Sequence, residues 1–188
     1  MGTGIPFTST VPTIPAVLVC SLGATGVENI LVAHDAVSGY QAFLQHKPDV
    51  IIVDLSLHEE KLGGIALIER IRSQDPSAKI LVFTIHADLS ILFSAIQAGA
   101  TGYLVKDAPA DELAKAVYQV RSGHRYIDAQ LALKLAFLSN DLTPKERQVL
   151  TLLMEGTSYA SIAHQLGISR KTVNNLTARV RQRLGVTV

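Results

Sequence analysis

Residues 50–55 read VIIVDL. Four aliphatic side chains in a row suit a strand covered on both faces, as in a parallel sheet flanked by helices. Asp54 then stands at the strand's carboxyl end, where open α/β sheets place their sites. Similar β-branched runs recur on either side: AVLVC (16–20), NILVA (29–33), KILVFT (79–84) and GYLVK (102–106). Helical patterns lie between them at 37–46, 63–73, 88–98 and 110–122. Leu89, Leu92, Phe93 and Ile96 repeat at helical spacing, as do Leu113, Ala116, Val117 and Val120. Gly99 and Gly123 follow two of these patterns at stop positions. The alternation predicts an α/β fold with a doubly wound, parallel, five-stranded sheet.

Beyond Gly123 the pattern changes. DAQLALKLAFL reads as a helix, SND as a hinge, and from Leu142 onward the sequence is helical throughout. Thr143-Pro144, with Glu146 three residues after the cap, has the form of a capping box with Pro at the first helical position. Glu155-Gly156 ends that helix, and Tyr159, Ile162, Ala163 and Leu166 mark the next. Gly167-Ile168-Ser169 is a tight turn. A third helix follows from about Arg170 to Leu184, buried through Val173, Leu176, Val180 and Leu184. Two helices joined by a short Gly-bearing turn, the second richly basic, make a helix-turn-helix.

Charge follows the same division. Residues 141–188 hold seven Lys or Arg and three acids, whereas the rest of the 188-residue chain is net acidic. A basic module on an acidic body points to nucleic acid, although a solvated helix face gives the same count. The one cysteine, Cys20, allows no disulfide framework and fits a reducing, cytoplasmic setting. No apolar run approaches the roughly 20 residues that span a bilayer. MGTGIPFTSTVPTIP lacks the basic-then-apolar order of a secretory signal and reads as an irregular arm. The six histidines show no metal-ligand spacing; His86, just after Thr84, is a candidate to line a pocket at the strand ends, although a solvated loop histidine is the commoner case. No phosphate loop, hydrolase elbow or paired-carboxylate signature is present, so the chain is not expected to be an enzyme.

LTPKERQVLTLLMEG, SIAHQLGISRKTVNNL and RLGV together resemble the DNA-binding domain of NarL/FixJ-type (LuxR-type) response regulators. VIIVDLS, FTIHAD and AIQAGATGYLVKDAPADELAKAV resemble the receiver domain of the same regulators. The resemblance covers almost the whole chain. It implies a flavodoxin-like receiver with a phosphoacceptor aspartate at Asp54, switch residues at Thr84 and Tyr103, and the pocket lysine at Lys106. A carboxylate attacking phosphorus needs the phosphoryl charge neutralised by cations and hydroxyls at neighbouring strand ends. A strand-end aspartate that simply caps, with Lys106 as its ion-pair partner, fits the same spacing.

Three features depart from the receiver pattern. Receivers finish their first strand with a pair of acids that hold Mg²⁺, a hard cation that wants oxygen ligands. Here Cys20 and Ser21 stand in those places, so no metal site and no cofactor is expected. Only SLGATGVE separates the first two strands, too short for a helical crossover, which takes a dozen or more residues. The first helix is therefore expected to be missing or shortened, with either the first strand displaced or the link an extended loop. The segment after Asp54, DLSLHEEKLGG, is long and lacks the usual proline.

These features predict a transcription regulator of the two-component type that does not depend on phosphorylation. One alternative keeps phosphorylation by letting Glu59 or Glu60 supply an acid for Mg²⁺. Another is a protein-binding antagonist or adaptor that does not use DNA. The missing helix leaves apolar surface near Leu113, Val117 and Val120, coverable by the arm (Ile5, Phe7, Val11, Ile14) or by a second copy. A homodimer is favoured, with the helix around Leu89–Ile96 as the competing interface. Other expected partners are double-stranded DNA and a sensor kinase or another regulatory protein, but no membrane.

By the resemblance, Asn174, Asn175 and Ala178 face bases, while Arg170, Lys171, Thr172 and Arg179 are placed for phosphates. Asn bonds bidentately to adenine and Arg to guanine, and Arg181 also lies off the buried stripe. Asn174 replaces the usual basic residue after Thr-Val. Relatives carry a further helix after Leu-Gly-Val, so half-site geometry is expected to fall to the receiver dimer. The expected domains are an arm (1–15), an atypical receiver (16–122), a linker with a helix (123–141) and the helix-turn-helix domain (142–188).

Overall fold

A computed structural model describes residues 17–23, 26–56, 63–139 and 142–183. The expected arm, Glu59, Glu60 and Leu184 lie outside the described residues. The α/β part runs β1 (Val17–Gly23), β2 (Gly26–Ala33), α1 (Ala36–His46), β3 (Val50–Val53), α2 (Gly63–Gln74), β4 (Ile80–Thr84), α3 (Leu89–Ala98), β5 (Gly102–Val105) and α4 (Ala110–Arg121). It continues with β6 (Tyr126–Ile127) and α5 (Ala129–Ser139), and the helical part is α6 (Pro144–Met154), α7 (Tyr159–Leu166) and α8 (Arg170–Arg183). The receiver-like sheet and the helix-turn-helix are both as read from the sequence.

The sheet order is β2-β1-β3-β4-β5-β6. β3 to β6 pair in parallel, but β1 is antiparallel to both β2 and β3. The expected five-stranded parallel sheet is thus corrected to a six-stranded mixed one. The physical reason lies in the link: Gly23 pairs with Gly26, which leaves room for a hairpin and none for a crossover. The missing first helix was read correctly.

Reversing β1 overturns a second expectation. Val17 pairs with Val53, and Cys20 pairs with Val50. Cys20 and Ser21 therefore lie toward the far end of β3 and do not replace an acidic pair beside Asp54. β6 falls within the stretch read as a linker, yet it joins the sheet through Gly102–Tyr126 and Tyr103–Ile127.

Two apolar layers flank the sheet. On one side Ile51, Val53, Ile80, Val82 and Tyr103 pack under Phe43, Ile68, Ile71, Leu92 and Phe93. On the other, Val50, Ile52, Leu81 and Leu104 pack under Ala116 and Val120 of α4, with Leu18, Leu113 and Val117 half-buried beside them. Each such buried side chain contributes about 1.5–3 kcal/mol. The bare surface expected around Val120 lies elsewhere, because Val120 is fully covered. Exposed apolar residues on the sheet itself include Ile30, at 54%, and Val32, at 51%, on β2. Val32 pairs with Leu18, which pairs with Ile52, so Val32 shares the α4 face.

The helix-turn-helix has its own core of Val149, Leu153, Ile162, Val173 and Leu176. Leu142, Leu150 and Val180 continue the receiver's core instead, together with Leu131 and Leu135 of α5. α3, the expected alternative dimer helix, packs against α6. No described helix is long and apolar enough to cross a membrane.

Candidate functional site: acceptor pocket and nucleic-acid interface

Asp54 leaves the end of β3 and is only 8% exposed. The start of α2 closes over it: a Cβ on Gly64 would sit 2.5 Å from the Asp54 carbonyl oxygen, so only glycine fits. Lys106 follows β5, and its backbone N–H donates to the Thr84 carbonyl at 2.8 Å. That bond ties the two strand ends together and aims the ammonium at the acid. Lys106 Nζ lies 2.5 Å from Asp54 Oδ2. The ammonium also stands 5.9 Å from the Phe83 ring centroid, at the limit of a cation–π contact. The second carboxylate oxygen, Oδ1, accepts the Ser56 N–H at 3.1 Å.

Thr84 is fully buried, and its hydroxyl accepts the His86 N–H at 3.4 Å. Tyr103 turns inward and donates its hydroxyl proton to the His86 carbonyl at 2.8 Å. Burial raises the Tyr103 phenol above its ordinary value, and the negative charges of Asp88 and Asp54 add to this. All four predicted pocket residues thus gather at the carboxyl ends of β3, β4 and β5. Two more join them. His86 Nε2 is 3.1 Å from Ser56 Oγ, so the histidine reaches the pocket through the serine that holds Asp54. Ser56 is not singled out in the sequence, whereas His86 is a candidate for the pocket through its place just after Thr84.

The receiver resemblance implies a magnesium ion at this acid. The described residues do not fit one. One carboxylate oxygen faces an ammonium and the other a backbone N–H. Among the described residues, no group of three His, Cys, Asp or Glu side chains gathers anywhere to hold a metal.

The nucleic-acid interface is built from its caps. Thr143 and Glu146 form the predicted capping box, with Thr143 N–H donating to Glu146 Oε2 at 2.9 Å. Ser158 caps α7 through the Ser161 N–H, and Ser169 caps α8 through the Thr172 N–H at 3.0 Å. Gly167 makes the turn between them with φ 61°. These caps fix α8 with Val173, Leu176 and Val180 inward. Lys171, Asn174, Asn175 and Ala178 then form one exposed stripe at helical spacing, with Arg170, Thr172 and Arg179 exposed beside it. Such a stripe suits a helix laid in a major groove.

Arg181 is not free for that role in this conformation. It donates to the Gln97 side-chain oxygen on α3, and Gln97 donates to the Tyr159 hydroxyl at 2.7 Å. The Arg181 Nε is buried and finds no acceptor among the described residues. Sequence reasoning missed this contact because Gln97 lies 84 residues from Arg181.

Comparison with known proteins agrees with both halves. Residues 11–118 match the response regulator receiver domain, and residues 140–188 match the bacterial regulatory proteins of the luxR family. The chain is 38% identical over 161 residues to the methanol utilization control regulatory protein MoxX of Paracoccus denitrificans, covering 81% of this chain and 72% of that one. It is 34% identical over 175 residues to the oxygen regulatory protein NreC of Staphylococcus carnosus, covering 85% and 80%. Among solved structures, a LuxR-family two-component response regulator from Aurantimonas sp. SI85-9A1 superposes with a TM-score of 0.55 at 32% identity, over 58% of this chain and 76% of that one. The RcsB response regulator of Salmonella typhimurium gives 0.51 at 28% identity, over 83% and 78%. With a receiver domain followed by a luxR-type DNA-binding domain, this chain belongs to the response regulators and is a DNA-binding transcription regulator of that family.

Proposed function

We propose that this regulator acts without phosphoryl transfer to Asp54, as a cytoplasmic homodimer held together by its receiver. The observation that carries this is the Asp54–Lys106 ion pair. It uses the oxygen that a metal and a phosphoryl group need, at a site where no group of three metal-ligating side chains gathers among the described residues. The family's ordinary control by a sensor kinase then gives way to contacts between surfaces.

The uncovered strip of β2 supports the dimer. Ile30 and Val32 lie exposed on the face that a first receiver helix would cover. A second copy seated there buries both. DNA is the other partner. Solved relatives include two RcsB dimers on two parallel DNAs. For this chain the exposed α8 stripe is assigned to base edges and its flanking cations to phosphates.

Incubation of the full chain with a small phosphodonor and Mg²⁺, followed by intact-mass spectrometry, tests the first claim. Unmodified protein is the expected result. Substantial modification of Asp54 favours the reading in which Glu59 or Glu60 completes a metal site. Sedimentation of wild type against the Ile30→Asp/Val32→Asp variant tests the dimer, which should dissociate.

A further inference from the structure

Asp54 lies at the carboxyl ends of the strands. At their amino ends, between the sheet and the helical domain, is a cavity of about 730 Å³. Ligand pockets span roughly 300–1,000 Å³. Four cations line it: Arg72 closing α2, Lys79 entering β4, Arg125 entering β6 and Arg170 opening α8. Three come from the receiver and one from the DNA-binding domain.

No carboxylate stands within ion-pair distance of any of the four among the described residues. Asp75 and Glu155 act on Arg72 and Arg125 only at longer range. The hydrogen bonds of Arg72, Lys79 and Arg125 go to neutral groups instead. Arg72 donates to Gly99 at 2.6 Å and also to Pro76, Arg125 to Ala100 at 3.3 Å, and Lys79 to Arg121. Such bonds fix these three cations in place, and no carboxylate pairs directly with them among the described residues. Arg72 and Arg125 are close enough to disfavour each other's charge. The packing also makes room for this cluster. A Cβ on Gly156 would sit 1.6 Å from an Arg125 nitrogen, so the bare glycine at φ +72° lets the guanidinium lie against the α6–α7 turn.

Like charges held together without directly paired counter-charges are costly, and an anion relieves the cost. Arg presents a planar fork of donors that matches phosphate. Four cations drawn from four elements together suit a ligand that carries more than one phosphate. Ile96, Leu153 and Tyr159 supply a less polar wall in the same cavity. We propose that this cavity binds a small polyanion with two or more phosphates, of the nucleoside polyphosphate class, with Arg72, Lys79 and Arg125 on the phosphates and Arg170 closing over them. The bound ligand bridges the two domains. It keeps Arg181 seated on Gln97 and withdraws Arg170 from DNA, so DNA affinity falls as the ligand fills the cavity.

Calorimetric titration of the full chain with pyrophosphate, ATP and GTP at low salt, with inorganic phosphate alongside, tests the site. The expected result is saturable one-site binding of at least one of the three, tighter than phosphate and weakened by added salt. Arg125→Gln and Arg170→Gln each lower the affinity about tenfold. Lys134→Gln, a charge change outside the cavity, leaves it unaltered. The melting temperature of each variant separates lost binding from lost fold, and Arg170 is exposed, so its replacement leaves the fold intact. Absence of saturable binding by all three, or undiminished binding in both arginine variants, overturns the proposal. Loss of duplex-DNA binding in Arg125→Gln without any small-anion binding also overturns it, and marks the cleft as part of the DNA surface.

Discussion

Lys106 and Asp54 are joined Nζ to Oδ2 at 2.5 Å, with side chains only 11% and 10% exposed. Removing one member of a nearly buried pair strands the other's charge, at a cost of about 3 kcal/mol. Lys106→Met should therefore destabilise the chain by roughly that amount in equilibrium urea unfolding. The double variant Asp54→Asn/Lys106→Met should recover most of the loss. If the single variant unfolds at the wild-type midpoint, the pair does not hold the pocket together.

Glu146 gives the DNA-binding domain a pH-dependent stability. Hydrogen bonds from the Thr143 side chain and backbone hold its carboxyl below the ordinary value, and the Arg183 and Arg179 charges add to this. A depressed carboxyl contributes stability that is fully present above its unfolded value, about 4.3. That contribution is lost as pH falls through the lower folded value. Thermal melts between neutral pH and the acid range should show a downward slope at the acid end that is shallower in Glu146→Gln. Identical slopes for both proteins would remove Glu146 as the cause. The cap itself is worth about 1 kcal/mol, so Thr143→Ala should lower stability by a similar amount at neutral pH.

Gln97 holds Arg181 against α3 and also binds Tyr159. The Arg181 Nε, buried without an acceptor among the described residues, makes that seat a poor one. Gln97→Ala should free both groups and raise DNA affinity roughly fivefold, the equivalent of about 1 kcal/mol of lost hydrogen bonding. Fluorescence anisotropy on a selected duplex measures it. Weaker binding by this variant would mean that the contact does not restrain α8.

On α8, Asn175 and Lys171 should separate by role. Asn175→Ala should cost about 1–3 kcal/mol on the selected site and flatten preference at one base position. Lys171→Ala should weaken all duplexes alike and lower the salt slope by about one. Random-duplex selection followed by salt titration distinguishes the two. An unchanged selected sequence with Asn175→Ala would place base reading elsewhere on the helix.

Much of this was legible in the chain because its signals are local. VIIVD, KILVFT and GYLVK carry their burial in their composition, and Thr143-Pro144 with Glu146 carries its cap in four residues. The parallel order of β3, β4 and β5 then followed from the helices between them. The direction of β1 was not legible, because AVLVC reads equally well forward or reversed and only the pairing of Val17 with Val53 distinguishes the two. The same limit hid β6, whose two residues gain strand character from Gly102 and Tyr103 alone. In the pocket, Asp54, Thr84 and Lys106 were visible as strand-end polar groups. His86 was a candidate by its place after Thr84, but its link to Asp54 was not legible, since the bond to Ser56 joins loops 30 residues apart.

The reversed first strand also changes the order in which the sheet can assemble. In a parallel sheet each new neighbour waits for a helix to bring the chain back. Here β1 and β2 close across two residues, and such hairpins form in about 1–10 μs, ahead of most long-range pairing. Their ladder can exist before α2 has delivered β4, and β3 then finds a ready partner already twisted to receive it. A regulator that loses a crossover in this way trades a slow, distant closure for a quick, local one, and its least conventional segment becomes the natural seed for folding.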